Sequence, residues 1–332
     1  MKDFKDKSII LAVPNHFGLP KVFKKNLEYL GFKVFTVEHD CSQVKLSAEE
    51  SLIHIYKKAF SNNRTFKAKM LAEKKEQPQL FFLDKISHAD YALVVRPDLF
   101  SKNVLAKIQK KSTYTVAYQW DGMQRFPLAE DTIQYFDSFF VFDERDTIRY
   151  PQTKHIHNFY FDYLPEKSEI KQDLFFVGTF MKDRIEELCN LSILFQEKNL
   201  KTNINVIYTK EKHIRKYQEY PINFTRTGMS FEENMKNAKS SRIILDFQNT
   251  IHKGLSFRVF EAVGYRKKLI TNNELVKEYS FYNSSNIFLL NDHNMSDITH
   301  FLADDYIGSS DEIYQRYSFS NWIQILFSQI NK

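Results

Sequence analysis

The feature that most restricts how this chain can fold is a recurring pattern. A short β-branched or aromatic run ends in polar or glycine residues, and an amphipathic segment of helical period follows. Residues 8–13 read SIILAV and stop at Pro14-Asn15-His16-Phe17-Gly18; residues 19–30 have helical spacing up to Gly31, and residues 32–37 form the next apolar run. The pattern returns at 91–95, 113–118 and 138–142, with helices expected at 99–110 and 128–136. These runs end in Arg96-Pro97-Asp98, Gln119-Trp120-Asp121-Gly122 and Asp143-Glu144-Arg145-Asp146. Strands joined by helices lie parallel, and polar residues repeated at their carboxyl ends belong to loops lining one crevice.

Ser47 and Glu50 form a capping box for a long helical region reaching Glu76, where Gln77-Pro78 is expected to break it. Its basic patches, with Tyr56, Phe60, Lys57, Lys58, Lys67 and Lys69, read first as a solvated face and second as a surface for an acidic partner. The alternation lapses over residues 161–172, a charged, Pro-containing stretch that reads as a linker. It then resumes: a strand at 174–177, a turn at Gly178-Thr179-Phe180-Met181, and a helix starting at Asp183 and Glu186 that bears Arg184. Further strands are expected at 203–208, ending in Thr209-Lys210, and at 223–227, with Ser230 and Glu233 capping the next helix. A strand at 286–290 closes the sheet, and residues 310–327 read as one final aromatic-rich helix.

Residues 242–273 are the most informative stretch. An apolar strand feeds a polar loop ending at Lys253-Gly254, a helix opens at Ser256, and a second strand follows at 268–271. At such a strand-to-helix junction, free backbone N–H groups and the positive end of the helix dipole favour an anion. Ser256 suits the N-cap and Gly254 lets the backbone approach a ligand closely. Arg258 and Glu261 share a helix face, so one is placed to hold a diphosphate and the other to accept ribose hydroxyls. An ordinary surface ion pair between the two is the competing reading.

In the first half, Asp121 follows Trp120 and precedes a glycine, which places a carboxylate beside an aromatic platform as a candidate general base; capping its own turn is the simpler role. His16 is a second candidate base, or a hydrogen-bonded loop histidine. Arg96 and Trp120 are candidates for holding an acceptor, Arg96 through a phosphate or carboxylate, with pairing to Asp98 as its alternative. His155 and His157 fall two apart on an expected 154–160 strand without a third ligand, so no metal site is assigned.

Composition removes several classes. The chain has 332 residues, of which 43% are hydrophobic, enough for two α/β domains with their own cores. Forty-seven basic against 41 acidic residues give +6, which favours anionic ligands but is too dispersed for a nucleic-acid footprint. Only Cys41 and Cys189 occur, far apart, and no apolar run approaches the eighteen or so residues a bilayer span requires. A cytoplasmic location is expected, with peripheral contact on an anionic inner membrane face as an addition to it.

The order Phe176-Val177-Gly178, Arg184, the capped Ser230 helix, the Asp246 strand and the run from Gly254 to Gly264 followed by Lys268-Leu269-Ile270-Thr271 resembles the donor lobe of GT-B glycosyltransferases. It is similar in particular to the CgeB-like and capsule or lipopolysaccharide branches. The second half is covered almost throughout and the first half in architecture alone. The resemblance implies two Rossmann-like domains facing a cleft: an acceptor-side domain over 1–165, a nucleotide-sugar donor domain over 166–310, and a helix over 311–332 crossing back to the first domain.

It implies further that Glu261 holds the nucleotide ribose, that Gly178, Thr179 and Arg184 lie under the diphosphate with Arg258 as a second clamp, and that Tyr208 and Lys210 approach the base or phosphate. Many retaining members carry another glutamate eight positions before the ribose-binding one; here that position is Lys253, which would stabilise the departing diphosphate and leaves the stereochemistry open. No cofactor is expected: the donor is a substrate, a UDP-sugar before a GDP-sugar. No Asp-X-Asp occurs, in keeping with a metal-independent transferase acting on a cell-surface polysaccharide or lipid-linked glycan. A nucleotide-sugar epimerase and a nucleic-acid glucosyltransferase remain as alternatives.

Overall fold

The structure, a computed structural model, describes residues 4–39, 47, 49, 66–163, 168–248, 254–290 and 297–328. The capping box of Ser47 and Glu50, the basic patches at 56–60, Cys41 and Lys253 lie wholly or partly outside the described residues, as do the side chains of Lys67 and Lys69. The chain forms two compact units, one running to Ile156 and including the residues from Leu326 onward, the other comprising His157–Ile325.

The first unit is built on β1 (Ser8–Pro14), α1 (Leu19–Tyr29), β2 (Lys33–His39), α2 (Phe66–Asp84), β3 (Ala89–Val95), α3 (Lys102–Lys110), β4 (Ser112–Gln119), β5 (Ser138–Val141), α4 (Arg145–Arg149) and β6 (Thr153–His155). Its six strands pair in parallel in the order β2-β1-β3-β4-β5-β6. Strand order reverses between β1 and β3, the point where an open parallel sheet leaves a crevice at its carboxyl edge. The turn from α1 into β2 depends on Gly31 at φ 97°, where a Cβ would stand 3.0 Å from the Lys5 backbone. Ile10 and Ala12 of β1, Ala92 and Val94 of β3 and Val104 and Ile108 of α3 form one buried layer. The Phe327 ring closes the other end, stacking edge-on or tilted against Phe4, Phe32 and Tyr91.

Three expectations for helices are corrected. Pro78 lies inside α2, which continues to Asp84. A proline in a helix interior costs about 3 kcal/mol, and the residues beyond it offset that cost: Leu83 is fully buried in the core and Leu80 and Phe82 pack against it. Residues 127–135 form a 3-10 turn, Pro127–Tyr135, rather than an α-helix. The segment 310–327 breaks at Tyr317-Ser318, because there the backbone pairs with Tyr160: Tyr160 N donates to Tyr317 O at 3.1 Å and Phe319 N to Tyr160 O at 2.8 Å.

The second unit contains β7 (Gln172–Thr179), α5 (Ile185–Glu197), β8 (Thr202–Ile207), β9 (Asn223–Thr225), α6 (Phe231–Lys239), β10 (Ser241–Asp246), α7 (Phe257–Gly264), β11 (Lys268–Thr271), β12 (Ile287–Leu289), α8 (Ile298–Ala303), α9 (Asp311–Arg316) and all but the last two residues of α10 (Phe319–Phe327). This sheet is also six parallel strands, ordered β12-β11-β10-β7-β8-β9. Alternate strand residues divide two apolar layers. Phe176, Val206, Leu245 and Ile270 face Ile185, Leu188 and Phe195 of α5; Phe175, Ile244, Leu269 and Ile287 face Val259, Phe260 and Val263 of α7. Burying each such side chain stabilises the unit by about 1.5–3 kcal/mol, so the register of every strand is set from both sides.

Candidate functional site

In the second unit the strand order reverses between β7 and β10. Their ladder pairs Ile243 with Leu174 and Ile244 with Phe175 and goes no further, although β7 runs on to Thr179 and β10 to Asp246. The gap between these carboxyl ends is bridged by side chains from α7. Asp246, 1% exposed, ends the strand run Arg242-Ile243-Ile244-Leu245-Asp246 as its acceptor hub. It takes Ser256 Oγ–H at 2.7 Å and Arg258 Nε–H at 3.0 Å on Oδ1, and Thr271 Oγ1–H at 3.2 Å on Oδ2. Arg258 Nη1 continues across the gap to the Val177 carbonyl at 2.8 Å.

Arg184 joins it from β7's side. Its guanidinium donates to the Thr179 carbonyl, and it is 8% exposed. The Arg184 and Arg258 guanidinium carbons lie 5.7 and 5.4 Å from the centre of the Phe176 ring. Among the described residues Arg184 makes no ion pair with a carboxylate. Burial, and then the Arg258 charge, push its pKa down to about 10, against the pull of Asp246 and Asp183. Two cations therefore crowd a site whose one ion-paired carboxylate among the described residues, Asp246, is taken by Arg258, an arrangement that a bound anion would relieve. Gly178 lies directly beneath: a Cβ there would stand 2.9 Å from Arg184 Nη2 and 2.9 Å from Phe176 Cζ.

Glu261, on the second turn of α7, is 3% exposed and receives Asn234 Nδ2–H of α6 at 3.2 Å. Burial raises its pKa to about 7, opposed by the Arg258 charge and the Asn234 hydrogen bond. Neither Arg258 nor Glu261 is a solvated surface group, and the carboxylate paired with Arg258 is Asp246, not Glu261.

Ser256 is the N-cap residue of α7, but its hydroxyl serves Asp246 and makes no cap hydrogen bond. Gly254 offers its carbonyl to Asn273 Nδ2 at 3.1 Å. Arg184, not Asp183, is the N-cap residue of α5. Tyr208 and Lys210 follow β8, one strand beyond β7, where Arg226 lies over the Tyr208 ring at 5.5 Å and Lys210 is exposed. Gly178, Thr179, Arg184, Arg258 and Ser256 are thus brought together, Glu261 lies one turn deeper on α7, and Tyr208 and Lys210 stand at the adjoining strand end.

The first unit has a smaller constellation at its own reversal point, where His16 follows β1 and Arg96 follows β3. Arg96 adopts φ 58° and is 6% exposed. It grips Asp98 through Nε and Nη2, both at 2.8 Å, and Asp121 Oδ2 through Nη1. The Phe126 ring lies 3.9 Å from its guanidinium carbon. Three of its five N–H groups and one face are occupied, so Arg96 makes the pairing with Asp98 that was its alternative reading and also holds Asp121. His16 has its pKa pushed down, first by desolvation and then by Arg96, with Asp121 pulling the other way. A neutral imidazole at neutral pH follows, with a carboxylate near it. Trp120 is half-buried beside Asp121. The expected 154–160 strand ends at His155, and His157 instead stacks on Phe260 at 5.6 Å, so the two histidines share no strand face.

Sequence reasoning missed Asp246 as a hub and Asn234 altogether. The one signal for Asp246 was a carboxylate closing a run of buried β-branched residues, where an unpaired charge is too costly to stand.

No protein-family model matches the chain, and no curated protein matches it. Among solved structures it is similar to an alpha-glucosyltransferase in complex with UDP-glucose and DNA containing an abasic site, with TM-score 0.57 and 11% identity over 98% of this chain and 100% of that one. It is also similar to the OtsA apo structure, with TM-score 0.50 and 12% identity over 98% and 99% of the two chains. The architecture is that of the GT-B class: α/β, with two parallel six-stranded sheets, each a Rossmann-like unit.

Proposed function

We propose that the chain is a glycosyltransferase that binds a nucleotide sugar at the carboxyl edge of the second sheet and transfers its sugar to a glycan or lipid-linked acceptor. The observation that carries the reading is the pair of Arg184, buried, and Arg258, half-buried, at the β7–β10 reversal, over Gly178 and with Asp246 as their one ion-paired carboxylate among the described residues. Displacement at an anomeric carbon frees a diphosphate, and fixed cations in a site with little water stabilise that developing charge. Glu261 would accept the ribose hydroxyls. His16, kept neutral and flanked by Asp121, would serve as the base on the acceptor side. With two arginines doing the neutralising, activity is expected to survive chelators. UDP is the favoured nucleotide and a polysaccharide of the cell surface the favoured acceptor class.

A second acceptor class, DNA, has support in the likeness to the alpha-glucosyltransferase whose structure contains UDP-glucose and DNA. Incubation with UDP-sugars, followed by mass spectrometry of sugar and nucleotide, tests the proposal. Release of UDP that depends on an added glycan or lipid-linked acceptor supports it. Isomerisation of the sugar without acceptor identifies an epimerase instead, and glucosylation of duplex DNA identifies the second acceptor class.

A further inference from the structure

Asn234 is half-buried, on α6, and its amide is used at one end only. Nδ2 donates to Glu261 Oε1 at 3.2 Å, while Oδ1 is shielded from solvent and has no hydrogen-bond partner. A buried acceptor without a donor costs about 1–3 kcal/mol, and native proteins seldom keep one without a use. Rotating the amide would not cure it: Oδ1 would then face the Glu261 carboxylate and Nδ2 would be the orphan. Above pH 7, where Glu261 is ionised, this orientation is therefore selected and leaves two neighbouring acceptors, Asn234 Oδ1 and the Glu261 carboxylate, which takes no other donor among the described residues. Both come from helices that pack together, α6 and α7, so their spacing is fixed by the core rather than by a loop.

Two adjacent acceptors, Asn234 Oδ1 without a partner and the Glu261 carboxylate with one donor and room for more, ask for a ligand that carries two adjacent O–H groups. We propose that Asn234 Oδ1 and Glu261 together receive the two hydroxyls of a vicinal diol, the ribose of the nucleotide, which makes Asn234 a specificity-determining residue for ribonucleotides over deoxyribonucleotides. The inference rests on the donor reading of the second unit and adds to it a residue on a different helix. Each hydroxyl donates one proton to one acceptor; Asn234 Nδ2 remains on the carboxylate and holds it in place.

The test is calorimetric titration of UDP, 2′-deoxy-UDP and 2′,3′-dideoxy-UDP into the wild-type protein and Asn234→Ala, with Asn234→Ser as the substitute should the alanine variant not fold. One neutral hydrogen bond is worth roughly a three- to tenfold change in affinity. The expected result is that Asn234→Ala weakens UDP by that factor and leaves 2′,3′-dideoxy-UDP unchanged. An equal loss for all three ligands would make Asn234 a helix tether and overturn the proposal, as would no loss for any. Wild-type protein that binds none of the three overturns the donor reading itself, and so separates the two failures.

Discussion

Arg258 Nη1 reaches the Val177 carbonyl at 2.8 Å while its Nε holds Asp246 at 3.0 Å, so one side chain ties β7 to β10 where their ladder has ended. The guanidinium thereby bridges the gap that the reversed strand order creates and leaves Arg184 beside it without an ion-paired carboxylate among the described residues. If the cluster binds the proposed diphosphate, its structural and ligand-binding roles fall to different residues and separate under mutation.

Asp246→Ala should be the most damaging change in this cluster. It strips the partner from Arg258 and leaves Ser256 and Thr271 without their acceptor. Breaking a buried pair by removing one member costs about 3–5 kcal/mol. Urea unfolding is expected to show a loss in that range, with Asp246→Asn recovering part of it through the remaining oxygen acceptor.

Gly178→Ala places a methyl group 2.9 Å from both Arg184 Nη2 and Phe176 Cζ. Overpacking of this kind costs about 1–3 kcal/mol. The Arg184 side chain is the flexible neighbour and will give way first, so nucleotide affinity should fall by more than the melting temperature implies. Calorimetry and thermal unfolding on the same preparation check this.

Glu261 sets a pH dependence with a definite sign. Burial raises its pKa from 4.5 to about 7, so between those values the folded protein keeps a proton that the unfolded chain has lost. Stability from this group is complete below pH 4.5, declines as pH rises towards 7, and is flat beyond. The shift corresponds to about 3 kcal/mol. Glu261→Gln removes the slope, so urea unfolding at pH 5 and pH 8 should show the variant gaining on wild type by up to roughly that amount.

In the first unit, Arg96→Ala leaves Asp98 buried without its cation; the Asp98 side chain is 5% exposed. A loss of about 3–5 kcal/mol is expected. Arg96→Lys should restore less than half, since an ammonium cannot fork onto Asp98, reach Asp121 and lie on Phe126 at once. Denaturant midpoints of the three proteins decide it.

The layered part of this architecture was readable from residue order. Runs such as Ile9 to Val13 and Ile243 to Leu245 alternate between faces and end in polar residues, and period and punctuation are local properties. The Ser230 cap behaved as its sequence suggested, its hydroxyl accepting from Glu233 N at 3.2 Å. Pro78 misled because packing beyond it, through Leu83, outweighs a local penalty. Of the candidate cluster, the glycine and arginines stood out in the sequence but their partners did not: Arg258 meets Val177, 81 positions away, and Asn234 meets Glu261 only because α6 and α7 pack together on β10. Arg96 illustrates the converse, since an arginine at a strand end reads alike whether its fork is open or filled.

On the proposed function, Arg184 and Arg258 form a seat for a diphosphate. Titrating UDP and uridine in parallel into the wild-type protein and Arg184→Ala tests it most directly. Wild type is expected to bind UDP at least tenfold more tightly than uridine, about 1.4 kcal/mol, and Arg184→Ala to abolish most of the difference. Equal affinity of wild type for the two, or UDP binding untouched by the substitution, would contradict it.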